Sequence, residues 1–190
     1  LGFTLGPRIN ASGRMGSASL AQRLLTTEAP GEAASLAFEL ERINRERAEL
    51  QNRIWDDVRV RVERGLAEGK FQHGIVVGDA SWHEGVVGIV ASRVVETFRK
   101  PAAVIAFRDG HGKGSVRTFG GKDVLSALRS SAQFLAGFGG HRHAAGLSLL
   151  PENIHAFAAA FDDAVGALEE ERGGTPIFLE GEAAVSQFNV

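Results

Sequence analysis

The sequence predicts an α/β fold, a mixed sheet with flanking helices preceded by a long connecting helix. An uninterrupted amphipathic pattern occupies residues 31–68, with apolar residues mostly three, four or seven apart. Short β-branched or apolar runs then alternate with helical patterns as far as residue 168. The 190 residues are 44% hydrophobic and 23% charged, which argues against a disordered chain and suffices for one globular domain and part of another.

The N-terminal third is predicted to be mostly helical. Residues 1–17 are rich in glycine and small polar side chains, so we expect a loop there, followed by a helix over 17–25. Residues 26–30 (TTEAP) indicate a turn and the start of the long helix, which Gly69 ends. Because this helix exceeds the usual 8–20 residues, we expect it to bridge two bodies and to contribute few contacts to the core of the domain that follows. Its apolar positions are Leu36, Leu40, Ile43, Leu50, Ile54, Val58 and Val62.

The remaining two thirds predict strands and helices in alternation. Patterns of five elements follow one another: a strand at 75–77, a helix at 86–98, a buried strand at 102–107, and helices at 123–134 and 156–168. A Gly-Gly-Thr-Pro linker then stands at 173–176, and residues 177–190 predict the beginning of a strand pair whose continuation is missing.

Composition excludes several classes of protein. There is no cysteine, which excludes disulfides and thiolate zinc sites and fits a reducing cytoplasm. No apolar run approaches the roughly 20 residues that span a bilayer, and the chain begins with neither Met nor a signal peptide. We therefore expect a soluble, cytoplasmic fragment of a longer chain, with no membrane partner.

Charge is segregated along the chain although the formal net charge is only −2. Residues 89–148 hold nine Lys or Arg against three acids, whereas residues 162–182 hold seven acids and a single Arg. Phosphate contacts require a locally basic region of this kind, so the segregation favours a nucleic-acid partner modestly.

The first of four motifs that carry chemistry is residues 6–15 (GPRINASGRM). Its small residues allow close backbone approach, and Arg8, Asn10 and Arg14 supply donors, so the motif could hold a phosphate. An ordinary glycine-rich turn with solvated arginines explains it equally well.

The second motif, residues 81–93 (SWHEGVVGIVASR), stands where a strand is followed by a helix of small residues. The backbone N–H groups of 85–88 are expected to form an anion site at the start of that helix. His83 is explained equally well as a hydrogen-bonding residue at helix entry, and Glu84 by the helix dipole.

The third motif is residues 112–118 (GKGSVRT). In an extended segment Ser115 and Arg117 point to the same face and can share one phosphate, the hydroxyl donating and the guanidinium binding. The alternative is a Gly-Lys-Gly hairpin with a charged exit.

The fourth motif is residues 138–146 (FGGHRHAAG), which predicts a tight turn with exposed backbone from which His141 reaches a ligand. His-x-His also suggests a metal, but no carboxylate or cysteine lies nearby to complete a coordination shell. We therefore predict no metal site in the chain.

These motifs resemble the RecJ-type single-stranded-DNA exonucleases of the Asp-His-His (DHH) superfamily, in which they occur in the same order. The resemblance covers nearly the whole chain, and 139–146 marks the DHH-associated domain. It implies four segments: 1–28 the end of the DHH catalytic domain, 29–69 the long connecting helix, 70–172 the DHH-associated nucleic-acid-binding domain, and 173–190 the start of an oligonucleotide-binding barrel.

The resemblance also implies a 5′-to-3′ exonuclease of DNA repair and recombination that acts on a single strand with a 5′ end. Its Mn²⁺ or Mg²⁺ is held by residues upstream of Gly6, and the chain is expected to be a monomer that binds no metal and is inactive alone. The implied substrate-binding residues are Arg8 and Arg14 facing the catalytic cleft, Ser115 and Arg117 around the 5′ phosphate, Arg93 and His141 along the channel, and Asn10 and His83 within the matched motifs.

Two other interpretations stay open at this point. One is a different DHH phosphodiesterase, such as an oligoribonuclease or a cyclic-dinucleotide phosphodiesterase. The other is a nucleic-acid-binding module with no activity of its own.

Overall fold

The computed structural model describes Gly2 and residues 4–169 of the chain. The linker predicted at 173–176 and the strand pair predicted at 177–190 lie outside the described residues. The described elements are, in chain order, α1 Leu5–Met15, α2 Ser19–Thr26, α3 Pro30–Ala67, β1 Ile75–Asp79, α4 Glu84–Phe98, β2 Ala102–Arg108, β3 His111–Arg117, α5 Val124–Ser130, β4 Gly137–His141, β5 Ala144–Leu149 and α6 Ile154–Gly166.

The loop expected over residues 1–17 is wrong, because most of that segment is the helix α1. Pro7 lies in its first turn, where a backbone N–H has no partner inside the helix. Ser12 is buried and donates its hydroxyl to the carbonyl of Ile9 at 2.9 Å. Because α1 packs against α3 and buries Ala11, tertiary contacts outweigh its weak helix propensity.

The long helix is confirmed as one unbroken element, α3. Pro30 occupies its first turn, and Gly69 follows its end at φ +76°, a conformation that glycine adopts without strain. Ion pairs join its N-terminal half to α1 and α2, Arg8 with Glu41 and Arg23 with Glu32.

The expectation that α3 contributes few contacts to the neighbouring core is wrong. Ile54, Trp55, Val58 and Val62 are buried among side chains of α4 and the sheet. The C-terminal half of α3 is thus a layer of the α/β domain, because its apolar stripe packs against α4 as the stripe of a core helix does.

The mixed sheet is confirmed, with strand order β1-β2-β3-β5-β4. β1 and β2 run parallel and are joined through α4, and the other neighbours are antiparallel. Alternate residues of β1 separate two cores: Ile75 and Val77 face α3 and α4, whereas Val76 faces α5 and α6. On the side of the sheet that faces α4, helices cover the strands beyond β2 only in part. The candidate site lies in this opening.

Two local features differ from expectation. The helix predicted at 123–134 is divided into α5 and a 3-10 turn at Ala132–Phe134, since buried Ser131 donates its hydroxyl to the Ala127 carbonyl where α5 ends. The two glycines that precede His141, Gly139 and Gly140, lie within β4, and the turn itself is formed by Arg142 and His143. Among the described residues, no helix is long and apolar enough to cross a membrane.

Candidate nucleic-acid interface

One face of β3 carries three polar side chains in a row. Lys113, Ser115 and Arg117 alternate with residues that face the opposite core, so they point to the α4 side of the sheet. The Arg117 guanidinium donates from Nη1 to Ser115 Oγ at 2.7 Å and to the Val116 carbonyl at 2.8 Å. The shared face predicted for Ser115 and Arg117 is therefore present in the structure.

Helix α4 approaches this row through glycines. A Cβ on Gly88 would lie 3.2 Å from both Ser115 Oγ and Arg117 Nη2, so a larger residue would press on these two groups. A Cβ on Gly85 would lie 1.9 Å from the Arg14 carbonyl oxygen, which makes glycine necessary where α1 meets α4. The small residues of the second motif thus bring three elements together.

Arg14, Ser115 and Arg117 line one cleft of about 430 Å³, together with glycines of α1, α4 and β3. Arg14 donates to the Gly85 carbonyl at 3.3 Å. Burial lowers the pKa of the Arg117 guanidinium, and the positive charge of Arg14 lowers it further. An arginine remains charged in spite of such shifts, so the cleft holds two close cations that an anion would stabilise.

A carboxylate stands at the mouth of the cleft and is already paired. Lys113 Nζ lies 2.9 Å from Glu84 Oε2, and this hydrogen bond lowers the pKa of Glu84. On the far side of the pair lies a second cleft of about 370 Å³, which Trp82 and His111 help to line. The ion pair therefore forms a partition between two openings.

His83 takes the helix-entry role that the sequence left open. Its Nδ1 accepts the backbone N–H of Gly85 at 3.1 Å and so caps α4. That hydrogen bond requires an unprotonated Nδ1 and leaves Nε2 as the other polar atom of the ring.

Three other predicted residues lie away from the cleft. Arg8 forms an ion pair with Glu41 of α3. Asn10 is exposed on α1 and lines a separate, apolar depression. Arg93 lies over the ring of Trp55, 4.4 Å from its centroid, on the side of α4 that faces α3. Their roles as substrate contacts stay predictions.

His141 lies near the cleft, on the same face of the sheet. Arg117 pairs with Ala144, and Ala144 pairs with His141, so the three share one row across the strands. Two strand spacings place the His141 and Arg117 Cα atoms about 10 Å apart. The exposed imidazole therefore reaches a ligand only if that ligand extends beyond the cleft.

The sequence analysis singled out neither Lys113 nor the packing of Gly88 against β3. The period of two that relates Ser115 to Arg117 also includes Lys113, so strand periodicity could have identified it. The contact of Gly88 with β3 joins residues 27 positions apart, and no local signal indicates it.

The described residues contain no group of three or more His, Asp or Glu side chains that could hold a metal ion. They therefore do not fit a catalytic metal centre.

Comparison with protein families matches residues 69–167 to the DHHA1 domain. Among curated proteins, the single-stranded-DNA-specific exonuclease RecJ of Bacillus subtilis is 40% identical over 156 residues, which is 81% of this chain and 20% of that protein. RecJ of Haemophilus influenzae is 34% identical over 199 residues, which cover 100% of this chain and 34% of that protein. The chain thus spans about a fifth to a third of the length of these relatives.

A crystal structure of RecJ in complex with Mg²⁺ from Thermus thermophilus superimposes with a TM-score of 0.78 at 34% identity, over 88% of this chain and 26% of that one. The similarity includes α3 and the mixed sheet, and it confirms the resemblance that the motifs indicate. With just over half of its length matched by the family model, the chain belongs to the DHHA1 domain family.

Proposed function

We propose that this chain supplies the DNA-binding part of a RecJ-type 5′-to-3′ exonuclease for single-stranded DNA, and that the cleft beside β3 binds the 5′ phosphate. The observation that carries the proposal is the half-buried Arg117 guanidinium, which contacts Ser115 Oγ and lies next to Arg14. The named relatives, which are single-stranded-DNA-specific exonucleases, support it.

The chemistry of the cleft suits a terminal phosphate. Arginine offers several N–H donors in a planar fork, and a second arginine and a hydroxyl stand beside it. Neither Arg14 nor Arg117 forms an ion pair with a described carboxylate, so their charge is available to a ligand. Holding the strand end at a fixed point determines which phosphodiester bond reaches the catalytic groups.

We assign catalysis to metal-binding motifs that lie upstream of Gly6 in the full-length exonuclease. Solved RecJ structures contain Mg²⁺ or Mn²⁺, and such ions supply the charge stabilisation of phosphodiester hydrolysis when bound. We assign residues 1–28 to the end of a catalytic domain, 29–69 to a connecting helix, 70–172 to a nucleic-acid-binding domain and 173–190 to the start of an oligonucleotide-binding barrel.

The proposal also includes the setting in which the protein works. We place the protein in the cytoplasm, as a monomer in DNA repair and recombination. Another DHH phosphodiesterase is not favoured, because the relatives that match the chain are named RecJ. By itself, this chain is expected to act as a binding module without activity.

Arg117→Ala in the full-length exonuclease tests the phosphate pocket. The substitution removes a charge-assisted contact worth about 1.5–3 kcal/mol, or one to two decades in affinity. Only a 5′-phosphorylated strand uses that contact, so the mutant should lose most of its preference over a 5′-hydroxyl strand. The measurement is the ratio of cleavage efficiencies on the two substrates.

Arg129→Ala is the matched control, because Arg129 is an exposed arginine on α5, behind the opposite face of the sheet. Its ratio should equal that of the wild type. Equal losses of Arg117→Ala on both substrates would show that Arg117 binds the strand generally and would overturn the end-recognition role.

A further inference from the structure

A second cleft adjoins the one lined by Arg14, Ser115 and Arg117, which we call the phosphate cleft. It has a volume of about 370 Å³ and lies beyond the ion pair of Lys113 and Glu84, which lines both openings. Lys113 and Ser115 stand two residues apart on the same face of β3, which corresponds to about 7 Å along the strand. A ligand that fills the phosphate cleft can therefore extend into the second cleft.

A tight hairpin turn forms one wall of the second cleft. Asp109 and Gly110 join β2 to β3, and both have positive φ angles, +51° and +77°. Two-residue turns of this conformation match the natural twist of a hairpin. Arg108 and His111 are therefore paired across the strands, on the same face as Lys113. The turn thus places His111 in the wall of the cleft.

The floor of the second cleft is apolar. Trp82 and Ala106 line it and are only 6% and 4% exposed. The Trp82 indole is fixed, because its Nε1 donates to Asp57 Oδ2 at 2.9 Å. His83 also lines the cleft, and since its Nδ1 accepts the N–H of Gly85, the neutral ring carries its proton on Nε2. The cleft therefore combines apolar surface with a hydrogen-bond donor.

The charges around the second cleft are paired, unlike those of the phosphate cleft. Lys113 Nζ lies 2.9 Å from Glu84, and Arg108 Nε lies 3.6 Å from Asp109. The two arginines of the phosphate cleft have no carboxylate partner among the described residues. Since each Lys or Arg of the second cleft has an acid beside it, this cleft suits a neutral group better than a second phosphate.

We propose that the second cleft binds the base of the 5′-terminal nucleotide, and that the two clefts together form a site for a deoxynucleoside 5′-monophosphate. The proposal rests on the proposed function, which places the 5′ phosphate beside Arg117. A base has flat faces on which aromatic rings such as the His111 imidazole stack. Its edge carries acceptors, such as N7 of the purines, that suit a donor such as His83 Nε2.

The test compares two ligands of the 190-residue chain, deoxyadenosine 5′-monophosphate and deoxyribose 5-phosphate, which carry the same phosphate and differ by the base. NMR titration measures both affinities, including millimolar ones. The nucleotide should bind about fivefold or more tightly than the sugar phosphate, because its base stacks in the second cleft. This comparison needs no variant, so it does not depend on whether a mutant folds.

His111→Ala locates the base. It should lower the affinity for the nucleotide about fivefold and leave the affinity for the sugar phosphate unchanged. His155→Ala is the matched control, because His155 is exposed on α6, behind the opposite face of the sheet. It should leave both affinities at the wild-type values, and thermal melting checks the fold of each variant.

Three results would overturn the base site: equal affinities of the wild type for the two ligands, a His111→Ala variant that binds the nucleotide as the wild type does, or one that weakens both ligands alike. Failure of the phosphate cleft would look different, because Arg117→Ala would then bind the sugar phosphate as the wild type does.

Discussion

At the scale of single residues, the acids nearby determine which arginines a ligand can use. Arg8 and Arg117 both stand in glycine-containing motifs, but Arg8 is engaged by Glu41, whereas Arg117, among the described residues, donates to a hydroxyl and a carbonyl and lines a cleft with a second cation. A ligand that uses a paired surface arginine must displace the old partner, which costs up to about 1 kcal/mol. Position in a motif is therefore a weaker guide than the partner.

The same reasoning predicts that Glu84 restrains DNA binding through Lys113. Glu84→Gln removes the charge that pairs with Lys113 at 2.9 Å and leaves the ammonium group at the mouth of the cleft available to phosphate. Since exposed ion pairs are worth up to about 1 kcal/mol, single-strand affinity should rise, by at most about fivefold. Fluorescence anisotropy titrations of the wild type and of Glu84→Gln measure this affinity. An unchanged or lower affinity of the variant would contradict the expectation.

The pH dependence of that effect follows from the lowered pKa of Glu84. A lowered pKa means that pairing is intact above the unfolded value of about 4.3 and is lost as the pH falls through the still lower folded value. The ratio of mutant to wild-type affinity should therefore be constant from about pH 5.5 to 8 as far as Glu84 is concerned.

Part of the site could be predicted from these residues alone. The spacing of Ser115 and Arg117 in an extended segment determined their shared face, and the structure has them in contact at 2.7 Å. The partner of Arg8 could not be predicted, since α1 holds two arginines in similar local surroundings. What differs is the residue across the helix contact, and for Arg8 that residue is 33 positions away.

At the scale of elements, one carboxylate links α6, the last described helix, to the start of the sheet. Asp162 of α6 accepts backbone N–H groups of Gln72, His73 and Gly74 at 3.1, 2.7 and 2.6 Å. These three donors precede β1, where no strand or helix supplies partners. Because hydrogen bonds to a charged acceptor are stronger than neutral ones, this contact determines where β1 begins relative to α6.

Asp162→Ala should therefore destabilise the domain. Loss of the charged acceptor leaves the three N–H groups to water or without a partner, which lowers the free energy of unfolding by about 1.5–3 kcal/mol. This corresponds to a fall of roughly 3–12 °C in melting temperature. Asp163→Ala, at the neighbouring exposed position, should change it by much less. Melting is followed by circular dichroism. Equal melting temperatures for the two variants would show that other contacts hold residues 72–74 in place.

The elements that were predicted correctly are those with a strong helical period or a continuous apolar run, above all α3 and the buried strands β1 and β2. α1 was missed because its glycines and Pro7 indicate a loop, while the contact with α3 that stabilises it joins distant parts of the chain. The division after α5 depends on the buried hydroxyl of Ser131, and in a sequence a buried serine cannot be told from an exposed one.

At the scale of the whole molecule, the cleft exists only because α3 holds two groups of elements together. Its N-terminal half positions α1, which carries Arg14, and its C-terminal half packs on α4, which faces the row on β3. The cleft thus unites residues about 100 positions apart. Neither group could form it alone, which explains why the sequence could identify its residues but not their assembly.

This architecture separates binding from chemistry, so the 190-residue chain should bind single-stranded DNA and not cleave it. Arg14 and Arg117 line the cleft without an acidic partner among the described residues, and two phosphate contacts on a single strand predict a slope of log K against log salt of about −1.4. Hydrolysis by a two-metal route needs carboxylate or imidazole ligands in a group, and the described residues contain no group of three. With Mn²⁺ and 5′-phosphorylated single-stranded DNA, chromatography should detect no mononucleotide, while the full-length exonuclease releases it. Metal-dependent release by the chain itself would show that a catalytic centre lies within these 190 residues.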